Sequence, residues 1–79
     1  MEKEFNWIFT FCADSPNGGR CVRLRGTYGN ARLKMFELFG DKWAFQYRED
    51  AWKRNQKLYN YMLETEISIE EALKNVNGK

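Results

Sequence analysis

The sequence predicts a single small α+β domain over residues 1–79, ordered β-β-α-β-α(-α), with a three-stranded antiparallel sheet in the order 2-1-3 and a helix packed on one face. Three observations predict it. Phe5 to Cys12 and Arg20 to Gly26 alternate apolar and polar side chains on either side of a dense turn signal, as a hairpin does. Gly26 to Tyr47 reads as a capped helix, a glycine stop and an aromatic strand with almost no linker. Six Phe, four Tyr and three Trp let a chain of 79 residues, close to the lower limit for a core without staples, bury enough apolar surface to fold.

Taken in order, Trp7, Phe9 and Phe11 fall on one face of the first strand and Ile8, Thr10 and Cys12 on the other. Asp14-Ser15-Pro16-Asn17-Gly18-Gly19 concentrates residues that turns favour. A hairpin centred on the Pro16–Asn17 bond sets Val22 opposite Phe11, Leu24 opposite Phe9 and Cys21 opposite Cys12. Arg23 and Arg25 then lie beside Thr10 and Ile8 on the second face. Thr27 stands at an N-cap, and Tyr28, Ala31, Met35, Phe36, Leu38 and Phe39 share one side of the following helix, with Arg32, Lys34 and Glu37 left wet. Gly40 ends the helix. Trp43, Phe45 and Tyr47 form one row of the third strand, and that row is expected to serve the core.

Asp50 is placed to cap a second helix with Trp52, Gln56, Tyr59, Met62 and Leu63 on one face. Residues 66–79 are expected to form a short C-terminal helix. There Ser68 and Glu71 have capping-box spacing, and Ile67 is positioned to staple against Ala72.

Net charge is only +2, yet residues 20–60 hold ten Lys/Arg against four Asp/Glu. A basic middle attracts anionic partners; it also serves as an ordinary solvated surface. Histidine is absent and the two cysteines show no paired spacing, so acid–base catalysis and a zinc site within one chain are both disfavoured; no enzyme and no cofactor is expected. The start lacks a signal-peptide layout and no apolar run approaches a membrane span, which predicts a cytoplasmic protein without a membrane partner.

Two basic groups are candidate sites. Arg23 and Arg25 project from one strand face about 7 Å apart, near the spacing of successive phosphates, with Arg20 close by and Tyr28 available to stack a base. Lys53, Arg54 and Lys57 form a helical patch beside Trp52, which either closes the core or anchors a partner. Both groups read equally as solvated faces. The semi-polar sheet face (Ile8, Thr10, Cys12, Cys21, Arg23, Arg25, Ala44, Gln46) needs a cover, from the second helix or from another subunit in a homodimer.

Trp7-Ile8-Phe9-Thr10-Phe11, Gly26-Thr27-Tyr28, Ala31-Arg32, Met35, Gly40 and Trp43-Ala44-Phe45-Gln46-Tyr47 together resemble a pattern shared by small uncharacterised proteins of bacteriophages and prophages of Gram-positive bacteria. Nothing from Ala51 onward carries the likeness. The resemblance implies a phage context, a host-cytoplasmic location and a non-enzymatic accessory protein that inhibits a host process by binding. Antiviral immunity is the expected process, through a CRISPR-type nuclease or through sequestration of a nucleotide signal. The partner is then a host protein or a nucleotide-like anionic ligand. The alternative is a small basic regulator of phage genes that binds nucleic acid.

Overall fold

A computed structural model describes residues 3–58 and 64–77. The elements follow the chain as β1 (Phe5–Phe11), β2 (Arg20–Gly26), α1 (Tyr28–Phe39), β3 (Trp43–Arg48), α2 (Glu49–Leu58), β4 (Thr65–Glu66) and α3 (Ile69–Asn77). The sheet is four-stranded and mixed, ordered β3-β1-β2-β4. The expected 2-1-3 core is therefore present, and β4 adds a short parallel margin beside β2 that alternation had not indicated. Two residues are too few to show a period, and the pairing depends on the backbone N–H groups of Thr65 and Ile67 reaching the carbonyls of Gly19 and Cys21.

The hairpin register differs from the expected one by two residues. Trp7 pairs with Leu24, Ile8 with Arg23, Phe9 with Val22 and Thr10 with Cys21, so Cys12 does not face Cys21. A two-residue displacement leaves every side chain on its predicted face, which is why alternation could not distinguish the two alignments. The turn decides. Residues 12–19 fold on themselves: the Ser15 N–H and hydroxyl both donate to the Cys12 carbonyl, and the Gly18 N–H donates to the Ser15 carbonyl. A Cβ on Gly18 would sit 2.2 Å from the Ala13 carbonyl oxygen, so only glycine fits there. Asn17 is buried instead of standing at the tip. Its amide donates to the Ala72 carbonyl at 3.0 Å and accepts from the Asn75 amide at 2.8 Å, fastening the loop to α3.

α1 starts and stops as the residues dictate. The Thr27 hydroxyl accepts from the Asn30 N–H at 3.1 Å, and Gly40 adopts φ 63° while its N–H closes on the Phe36 carbonyl. Ala31, Met35 and Phe39 are buried against Trp7, Phe9, Phe11, Val22 and Trp43. Ser68 caps α3 through the Glu71 N–H, and Ile67 and Ala72 join the same apolar cluster, as a staple requires.

A β-bulge corrects the expected third-strand row. Phe9 pairs with Gln46 and Phe11 with Trp43, so β3 spends three steps where β1 spends two. Trp43 therefore enters the core on the α1 side, whereas Tyr47 pairs with Ile8 on the other face, with Phe45 against its ring. α2 begins at Glu49, directly after β3, with Asp50 inside its first turn instead of capping it. Trp52 covers Ile8, Cys21 and Tyr47 on that second face. The expected α2 positions Tyr59, Met62 and Leu63 lie outside the described residues. Among the described residues no helix is long and apolar enough to cross a membrane.

Candidate functional site

The arginines that looked best placed for an anion do not form one site. Arg23 projects from β2 between α2 and β4 and is held by both. Its Nε and Nη2 donate to the two carboxylate oxygens of Glu66 at 3.0 and 2.9 Å, and its Nη1 pairs with Glu49. Lys53 approaches Glu49 from the next turn of α2, at 3.9 Å. Arg25 donates to the Asn6 side-chain Oδ1, and the Asn6 Nδ2 in turn donates to Glu49. Two carboxylates balance Arg23 and Lys53, so this cluster fastens α2 and β4 to the sheet and offers little field to a phosphate. The Arg23 guanidinium holds the Glu66 carboxyl below its ordinary range, and Glu66 in turn raises Arg23.

The remaining candidates scatter. Arg20 opens β2 and alternates onto the face opposite Arg23 and Arg25. Tyr28 sits on the α1 side, edge-on to Trp7 at 5.3 Å, with the sheet between it and Arg23. Trp52 is 7% exposed and packs against the Tyr47 ring, closing the core on that face. Lys53 and Arg54 are exposed on α2. Lys57 lies in the same helix, its side chain outside the described set.

The thiols differ sharply. Cys12 is exposed and Cys21 is buried. Burial, then the nearby Glu64 and Glu66, push the Cys21 thiol up to about 11, so it holds almost no nucleophilic thiolate at neutral pH. Glu64 itself is raised by burial.

A different cluster stands at the α1–β3 edge. The Arg32 guanidinium carbon lies 5.0 Å from the Trp43 ring centre, 5.7 Å from Phe36 and 5.9 Å from Tyr28. Among the described residues its Nη1 makes only long contacts, 3.4 Å to the Tyr28 hydroxyl and 3.5 Å to the Gln46 side-chain Oε1, and the Gln46 Nε2 itself donates to the Tyr28 backbone carbonyl. Among the described residues no carboxylate pairs with Arg32. Two of the rings beside it are unusually open: Tyr28 is 52% exposed and Phe36 46%. The Trp43 indole N–H is buried without an acceptor among the described residues, which costs about 1–3 kcal/mol. A cation lying over aromatic rings with bare apolar neighbours is the composition of a binding hot spot.

Sequence reasoning had set Arg32 aside as a wet helix residue. The signal was present: Tyr28, Arg32 and Phe36 are spaced four apart and so form one helix stripe. What periodicity could not supply is that the bulge in β3 carries Trp43 beneath that stripe.

No known protein family matches the chain, and no curated protein or solved structure matches it either.

Proposed function

We propose that this chain is a non-enzymatic, phage-encoded protein that inhibits a host process by docking on a host protein through its α1–β3 edge. Antiviral immunity, in the form of a CRISPR-type nuclease, is the target class favoured. The observation that carries the docking surface is Arg32, set over Tyr28, Phe36 and Trp43 without a carboxylate of its own among the described residues, with Tyr28 and Phe36 exposed beside it. Protein interfaces concentrate Arg, Tyr and Trp at their centres. The phage context rests on the resemblance of Trp7 to Tyr47.

Sequestration of a nucleotide signal draws less support, because Arg23 is engaged with Glu66 and Glu49 while Tyr28 lies across the sheet from it. Regulation of phage genes by nucleic-acid binding loses the same arginine.

Capture from a Gram-positive host lysate tests the reading. A host protein retained by the wild-type chain and by Arg25→Glu, and lost from Arg32→Glu, is the expected result. Retention by Arg32→Glu, or recovery of nucleic acid whose binding falls steeply with salt, overturns it.

A further inference from the structure

Among the described residues the sheet has two margins, β3 and β4, and they are unequal. β4 is two exposed residues long, Thr65 and Glu66, with its glutamate spent on Arg23. β3 offers six residues, Trp43 to Arg48, of which only the last is charged and none is proline. Natural edges are guarded by lysine, proline, extreme shortness or bulges. β3 keeps one of these guards: its bulge bends the Trp43–Phe45 end and leaves Gln46, Tyr47 and Arg48 in regular register with β1. A strand laid about 4.8 Å beyond β3 would send alternate side chains to opposite faces. On one face they would meet Arg32 and Gln46, and on the other Phe45 and Tyr47.

We propose that the open edge of β3 accepts an extended acidic segment of the partner protein as an added strand, with a carboxylate of that segment on Arg32. This rests on the docking reading above and names its mode. Charge decides the occupant. Arg32 has no carboxylate among the described residues, and its guanidinium suits a carboxylate bidentately. A second copy fits less well. Antiparallel pairing of β3 with itself places the twofold axis near Phe45 and Gln46. Each Arg32, which lies against Gln46, would then face the other Arg32.

The test is an amide-resolved NMR titration of the full chain with a capped hexapeptide alternating Glu and Val. A Lys–Val counterpart and two N-methylated forms, methylated at odd or at even residues, accompany it. Strand addition predicts shifts and slowed exchange at Gln46 to Arg48, tenfold or greater loss with one methylation frame and little with the other, and several-fold weaker binding to Arg32→Ala. Shifts confined to α1 with both methylated forms binding equally overturn strand addition. Equal binding of the Lys–Val peptide overturns the acidic preference. Absence of binding at millimolar peptide overturns the proposal, as does β3 protection that grows with protein concentration alone. If lysate capture still depends on Arg32 when the peptide fails, the docking surface survives and only its mode is wrong.

Discussion

Replacing Arg23 with Met separates a structural arginine from a binding one. Met keeps the apolar stem and removes the guanidinium, leaving Glu66 and Glu49 without their partner. Fully buried, such charge-assisted bonds would each be worth about 1.5–3 kcal/mol, but the Arg23 side chain is 35% exposed and that of Glu66 48%. Solvent screening at that exposure lowers each pair toward about 0.2–1 kcal/mol, so the two together should contribute about 0.5–2 kcal/mol. For a domain of this size that is a fall in Tm of about 2–15 °C. A double-mutant cycle with Glu66→Gln should return a coupling of about 0.5–1 kcal/mol, diminished in 0.5 M salt. The pH sign follows from Glu66, whose carboxyl is held below its ordinary 4.5 in the folded state. Its contribution is therefore complete above that value and lost as pH falls through the lowered one, so wild type and variant should converge in acid. Thermal melts by circular dichroism, with amide exchange at Ile67 as the local reporter of β4, provide the readout. An Arg23→Met protein as stable as wild type, yet defective in partner capture, would refute the structural assignment.

Four further outcomes follow from the same geometry. Asn17→Ala removes the two side-chain hydrogen bonds that join the 12–19 loop to α3, leaves a void at a buried position and takes the acceptor from the Asn75 amide, so urea denaturation should show a loss of about 1–3 kcal/mol. Gly18→Ala forces a methyl into the Ala13 carbonyl and should destabilise by at least about 1–3 kcal/mol, visible in the same denaturation curve. At pH 8 an alkylating reagent should modify Cys12 readily and Cys21 only on unfolding, as mass spectrometry would record. Because the Cys21 thiol is raised from 9.0 to about 11, stability should decline as pH climbs between those values, by up to about 2–3 kcal/mol, and a Cys21→Ser chain should lack that decline.

Local rules made most of the fold readable. Thr27 and Gly40 bracket α1, Ser68 opens α3, and alternation assigns the faces of β1 and β2 correctly, because each signal depends on residues close in sequence. What escaped depends on distant partners. The hairpin register is set by Asn17 reaching Ala72 and Asn75, more than fifty residues away. The β3 bulge splits Trp43 from Tyr47, and β4 exists only because Cys21 and Gly19 offer carbonyls to it. The site suffered from the same gap. Arg23 looked available because its carboxylate partners, Glu49 and Glu66, come from elements that the hairpin alone does not bring near. Arg32 looked idle because its rings arrive from β3 as well as from its own helix.

The most direct test of the account compares Arg32→Ala with Arg23→Met for both melting temperature and capture of the host partner. The prediction is a crossed result: Arg32→Ala melts within a few degrees of wild type and loses the partner, while Arg23→Met melts markedly lower and, below its melting point, still binds. The reverse pattern, with Arg32→Ala binding normally and Arg23→Met losing the partner at unchanged stability, would contradict the assignment of the α1–β3 edge as the working surface.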